Sequence, residues 1–304
     1  MGSRISPLTP IFRAIEEMHE GINSYDYTNL DVVSDRNNLR KLLRWATGDP
    51  SSFEIDIDCA GRTCLFTRRE VKDSELVVGF KGFGHEYEKA ATRAAPGCEN
   101  ATGHHRIISM SFGGLKILLR FEVDACVASA SIDDLTAAFS SIGIDSNTNR
   151  STTTAASPTS KRAGHAIPSI SIVRTDAQKI VPQSHLIEIK TRVSHRELDW
   201  GEVYPQLYLS QTAYLYLAKH TKGTFGSVEK FALGGASMAV HAKRAEAGMG
   251  KLKALLDDIL KVVRREGHGA KLRLLSTGGD LALYKRAAGA GKPIGDELLN
   301  KFSK

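Results

Sequence analysis

From Leu115 to Val127 the chain alternates, with Ile117, Leu119, Phe121, Val123 and Ala125 on one side and Lys116, Arg120, Glu122 and Asp124 on the other. A period of two belongs to an extended strand, and one apolar face has to lie on a core. The charged face is then turned toward a cleft or toward solvent. A chain carrying this run needs a sheet. A second short run, Leu186-Ile187-Glu188-Ile189-Lys190, reads as another strand and places Glu188 and Lys190 on one face.

Helical spacing surrounds these strands. Pro10 to Met18 reads as a helix, and a second begins at Ser34 or Asp35 as N-cap with Leu39, Leu42 and Leu43 as its apolar stripe. Phe53 to Arg69 reads as a hairpin turning at Ala60-Gly61-Arg62. Glu86 to Ala95 is a helix entered through Gly82 and Gly84, and Ile107 to Met110 pairs with the Leu115 strand across Gly113-Gly114. Leu207, Tyr214, Leu215 and Ala218 share a helical face with Gln211, which predicts a helix over about 204–220. Residues 231–240 read equally as strand or loop. Leu252, Leu255, Leu256, Ile259, Leu260 and Val263 mark an amphipathic helix, and Lys271 to Leu275 a late strand. The order predicts an α/β fold, a central mixed sheet flanked by helices, in one domain over residues 1–304. Residues 140–164 are rich in Ser, Thr and Asn and nearly free of large apolar side chains, which predicts a surface insertion.

Composition adds boundaries. At 304 residues, 41% hydrophobic and 25% charged, the chain has the make-up of a globular protein. The net charge of +7 favours an anionic partner without identifying one. The four cysteines lack Cys-x-x-Cys spacing and read as reduced thiols, with Cys59 and Cys64 either facing each other across the hairpin or simply packing. No apolar run approaches a membrane span and the start lacks a signal-peptide pattern, so a nuclear or cytosolic location away from membranes is expected.

The acids on the two strands point to chemistry. If the strands are neighbours, Asp124 and Glu188 can approach one hard divalent cation with oxygen ligands, and Glu122 can hold a water on it. Lys190 would then stabilise charge developing on a phosphate. The bland reading, a solvated sheet face, is weakened because both strands otherwise read as core. This is the pattern of a metal-dependent phosphodiesterase. Buried on its helix, Gln211 would need a polar partner, in the site or in the backbone. The clusters Lys161-Arg162, Lys243-Arg244, Arg264-Arg265 and Lys285-Arg286 would line an RNA path or be solvated surface. Tyr208, Tyr214 and Tyr216 sit at helical spacing and read as core, and His104-His105 as a polar loop.

Five elements occur in one order: Arg36 ahead of a leucine-rich helix, Gly84-His85-Glu86-Tyr87-Glu88, Glu122-Val123-Asp124, Glu188-Ile189-Lys190 and Gln211. Over roughly 33–217 this set resembles the decapping exoribonucleases of the DXO family, within the PD-(D/E)XK nuclease-like group, and fungal relatives in particular. The resemblance implies that Glu88, Asp124 and Glu188 ligate Mg²⁺ or Mn²⁺ together with the Ile189 carbonyl, Glu122 acting through water. It implies that Lys190 and Gln211 stand at the scissile phosphate and nucleophile, and that Arg36 contacts the RNA 5′ end. His85 departs from the apolar residue usual at its place, and the insertion between the acidic strands is long.

The expected activity is metal-dependent hydrolysis at capped or triphosphorylated RNA 5′ ends, removing incomplete or non-canonical caps, with 5′→3′ exoribonuclease action. The alternatives are a DNA-directed nuclease of the same fold and a non-catalytic RNA-binding partner of a 5′→3′ exoribonuclease.

Overall fold

The computed structural model describes residues 6–19, 25–69, 82–127, 172, 180–287, 289–290 and 294–303. The expected insertion at 140–164 and the Lys161-Arg162 cluster lie outside them. A seven-stranded mixed sheet has the order β11-β10-β2-β3-β1-β5-β4. These strands are β1 (Val32–Asp35), β2 (Phe53–Ala60), β3 (Thr63–Arg69), β4 (His105–Phe112), β5 (Leu115–Glu122), β10 (Lys271–Thr277) and β11 (Asp280–Lys285). A second sheet holds β6 (Ala125–Cys126), β7 (Leu186–Val193), β8 (Tyr214–Thr221) and β9 (Thr224–Ala232) in that order. The single sheet expected from sequence is therefore two.

Helices cover the large sheet on both faces. On one, α2 (Arg36–Ala46) and the long α5 (Ala239–Glu266) bury Leu39, Leu42, Leu252, Leu256, Ile259 and Val263 against Val32, Ile55, Ile57, Ile117 and Leu119. On the other, α1 (Thr9–Met18) and the C-terminal α6 (Asp296–Leu299), with Phe302 beyond it, cover Val33, Ala60, Leu65 and Leu118. Neighbouring residues Ile117, Leu118 and Leu119 are thus all buried, one pointing to each core in turn. The alternation read over 115–127 splits here. Ile117 and Leu119 do face one core, but the opposite face is also covered, because helices lie on both faces of this mixed sheet.

β1 is parallel to both β3 and β5, so its C-terminal end is flanked by theirs. The helix predicted over 204–220 is broken in two. The chain forms α4 (Trp200–Ser210), turns at Gln211 in the left-handed conformation (φ 51°), and returns as β8, parallel to β7. This is a strand–helix–strand crossover, in which the helix has to end for the chain to re-enter the sheet. Tyr214, Leu215, Tyr216 and Leu217 satisfy a period of two as well as one of 3.6, and pairing with β7 and β9 decides between them. Residues 231–240 begin as the end of β9 and finish as the start of α5. Among the described residues no helix is long and apolar enough to cross a membrane.

Candidate active site

The two sheets part at Val123-Asp124. β5 ends at Glu122, the Val123 amide bonds the His104 carbonyl, and two residues later β6 pairs antiparallel with β7. The expected neighbouring of the acidic strands is met only through this short crossover: β5 and β7 lie in different sheets, and Asp124 stands at the fork.

Asp124 Oδ2 accepts the Ile189 amide of β7 at 2.7 Å. The carbonyl of a strand residue leaves on the same side as its amide, so the Ile189 carbonyl also faces this edge, beyond the end of β6. Glu188, one residue earlier, is only 2% exposed. Its Oε1 accepts from both Lys190 Nζ and Gln206 Nε2, and its Oε2 accepts from Arg36 Nη1 at 3.1 Å. Arg36 is the first residue of α2, delivered directly by the end of β1. The same Nη1 donates to Ser210 Oγ at 3.2 Å, and the guanidinium lies 5.6 Å from the Phe121 ring centroid. Asp35, at the α2 N-cap, makes no capping bond and instead grips Arg120 through both oxygens, at 2.6 and 2.9 Å.

The carboxylates repel. Burial pushes the Asp124 carboxyl up to about 7, with the charge of Glu188 acting in the same direction. Lys190 and the Ile189 amide oppose the shift, and Glu88 adds a smaller upward push. Glu88 lies on α3 (Gly84–Ala91), about one-third exposed (35%), with its carboxylate 3.9 Å from His85 Nδ1.

Arg36, Asp124, Glu188 and Lys190 are therefore brought together, with Glu88 near enough to act on Asp124. Two expected residues are not. Glu122 is exposed at the rim, opposite His105 and beside Gly103, because β5 stops there and the chain swings away before Asp124. Gln211 is exposed at the end of α4 and donates to the Tyr208 carbonyl, its left-handed backbone turning it out of the helix face. The buried amide is Gln206, missed because Pro205 and the overlong helix obscured the register. Asp199, whose Oδ1 accepts the Glu202 amide at 3.3 Å, is the signal that sets it. A helix counted from that N-cap puts Gln206 and Ser210 four apart on one face. The Arg286 of the expected basic path is buried against Asp56 and Asp58 and belongs to the sheet.

Among the described residues no three His, Cys, Asp or Glu side chains already stand at coordinating spacing. By donor chemistry the group nonetheless fits a hard cation. It offers carboxylate and carbonyl oxygens, and the raised Asp124 records burial and a neighbouring negative charge that a cation would offset. A cleft of about 2500 Å³ opens over Glu88, Glu122, Asp124 and Ile189. A smaller one of about 660 Å³ is lined by Arg36, Arg40, Arg68, Arg69 and Arg120. Glu122 borders both.

A family model described as "Domain of unknown function (DUF8563)" matches residues 3–276. No curated protein matches the sequence. Solved structures share the fold. S. pombe Rai1 in complex with 3′-FADP matches at 14% identity and TM-score 0.57, over 91% of this chain and 77% of that one. Candida albicans Rai1 in complex with pU5 and Mn²⁺ matches at 12% identity and TM-score 0.59, over 99% and 78%. K. lactis Dxo1 in complex with manganese matches at 9% identity and TM-score 0.53, over 94% and 72%. The fold expected from the decapping-nuclease resemblance is the fold found.

Proposed function

The chain belongs to the DUF8563 family and has the fold of Rai1 and Dxo1, and on that premise we propose that it is a divalent-cation-dependent hydrolase of RNA 5′ ends. The observation that carries the reading is the buried Glu188, reached by Arg36 from α2, Gln206 from α4 and Lys190 from its own strand, beside Asp124, whose carboxyl burial pushes up to about 7. A strongly raised carboxyl beside a second carboxylate, at the edge of a cleft, is the arrangement that functional sites concentrate. The Mn²⁺ and oligouridylate in the Candida albicans Rai1 structure, and the 3′-FADP in that of S. pombe, support a cation and an RNA or dinucleotide-capped end as ligands.

Asp124, Glu188 and Glu88, with the Ile189 carbonyl, would hold Mg²⁺ or Mn²⁺, and Glu122 would act from the rim through water. When bound, the cation polarises the scissile phosphate and acidifies the attacking water. The protein's own part is placement. Lys190 brings a cation to where charge develops on the phosphoryl oxygens. Gln206 fixes the Glu188 carboxylate, and Arg36, opening toward the arginine-lined cleft, takes the 5′ phosphate. That cleft offers the RNA backbone a cationic path. The substrates are incomplete or non-canonical caps and triphosphate ends, with 5′→3′ degradation following.

A second reading, RNA binding without hydrolysis, is favoured by one observation: both Glu188 oxygens are already engaged by protein donors. Release of labelled product from RNAs bearing triphosphate, unmethylated-cap or dinucleotide-cap ends separates the two. It is run with Mg²⁺, Mn²⁺ or chelator, with Glu188→Gln and single-stranded DNA alongside. Cation-dependent RNA cleavage lost in the variant supports the hydrolase. Tight RNA binding with no cleavage supports the second reading, and cleavage of DNA alone overturns the substrate assignment.

A further inference from the structure

Away from the candidate site, the β2–β3 hairpin sets two cysteines face to face. Cys59 and Cys64 are direct cross-strand partners, 2% and 0% exposed. Their backbones point away from each other. The Cys59 amide and carbonyl bond Ala270 and Gly269 on one side, and the Cys64 amide bonds Asp31 on the other. They therefore form a non-hydrogen-bonded antiparallel pair, whose Cα atoms stand about 4.5 Å apart with both side chains on one face. That spacing lies inside the roughly 4.4–6.8 Å that a disulfide spans. Cys126 lies opposite Leu186 rather than a second cysteine.

We propose that Cys59 and Cys64 form a reversible cross-strand disulfide, with a small hydroperoxide as oxidant. Burial restricts the co-reactant to a small one, since thiols 2% and 0% exposed give glutathione disulfide no room to approach. The two thiols are unequal. The Cys64 thiol and the charge of Arg264 hold Cys59 below the usual thiol range, whereas its contact with Cys59 and its burial push Cys64 far above it. Cys59 is thus the first nucleophile. Its thiolate attacks one peroxide oxygen, the O–O bond breaks, and the departing hydroxide takes a proton to leave as water. Cys59 becomes a sulfenic acid. Cys64 then attacks the Cys59 sulfur, the S–O bond breaks, the S–S bond forms, and the Cys64 proton leaves with a second water. Two thiols and one peroxide give one disulfide and two waters.

The test is peptide mapping of the intact chain after hydrogen peroxide, with free thiols alkylated before and after unfolding. The expected product is one peptide containing Cys59 and Cys64, about 2 Da lighter than its dithiol form and restored by dithiothreitol. Treatment with glutathione disulfide should leave the pair reduced. In Cys64→Ser, a sulfenic-acid trap should label Cys59, and in Cys59→Ser it should leave Cys64 unlabelled. Should either variant fail to fold, the wild-type map alone decides. Recovery of both thiols in alkylatable form after peroxide, with Cys98 or Cys126 oxidised, overturns the proposal.

Discussion

Glu188 is held on one oxygen by Lys190 and Gln206 and on the other by Arg36, so a charge nearly removed from water is matched by two cations and an amide. A hydrogen bond to a charged group contributes about 1.5–3 kcal/mol. Gln206→Ala should therefore slow RNA cleavage roughly 10- to 100-fold. Gln211→Ala, at an exposed helix end, should stay within about 0.5 kcal/mol, or roughly twofold. Single-turnover rates on one 5′-triphosphate RNA check both, and equal losses would contradict the placement of Gln206. Asp124 supplies a pH dependence. Its carboxyl, about 7 in the folded protein, holds a proton that a cation has to displace, so Mn²⁺ affinity should rise as pH passes from 6 to 8. Without metal the sign for stability is opposite. A raised carboxylate pKa contributes stability that is full below the unfolded value and lost as pH rises through 7. Calorimetric titration with Mn²⁺ at the two pH values tests the first, and apo unfolding midpoints over the same range test the second. Asp124, Glu188 and Lys190 were legible because strand periodicity and local spacing place them, whereas Arg36 and Glu88 came from the family resemblance alone. Gln206 was not legible, since its position depends on where α4 ends, which the β8 pairing decides.

Turns and caps carry the energetics of the elements. Gly61 turns the β2–β3 hairpin at φ +57°, and a Cβ there would lie 2.3 Å from the Phe302 carbonyl oxygen. Gly61→Ala combines a left-handed penalty of about 1–2 kcal/mol with a clash that pushes the C-terminal segment off the sheet. Gly48→Ala, also at positive φ (+102°) but with nothing within 4 Å, should cost only the backbone part. Urea unfolding of the two variants checks the difference, and equal losses would show that the Phe302 contact contributes nothing. The same hairpin was read correctly from sequence, since its turn and its flanking alternation are local signals. The predicted 204–220 helix failed for a non-local reason. Its apolar spacing satisfied helix and strand alike, and the crossover from β7 settled the matter.

At the scale of the molecule, the large sheet is tied by buried ion pairs as well as by its two apolar cores. Arg286, 3% exposed at its side chain, bonds Asp58 Oδ1 and stands 3.3 Å from Asp56 Oδ2. Removing it strips Asp58 of its hydrogen-bonded cation, while Asp56 keeps Arg273 at 2.7 Å, so Arg286→Ala should lose about 3–5 kcal/mol of stability. RNA affinity per folded molecule should be unchanged, measured by equilibrium unfolding and by filter binding. Weakened RNA binding at full stability would return Arg286 to the nucleic-acid path. The need for a mixed sheet, the helices of its faces and the kinds of residue able to hold a cation follow from the sequence by itself, because periodicity and side-chain chemistry are local. That the sheet is two sheets, that Asp124 stands where they part, and that Gln206 rather than Gln211 reaches Glu188 were decided only by the tertiary structure. Strand pairing joins residues far apart in the chain, and no local period records which strand a given edge will meet.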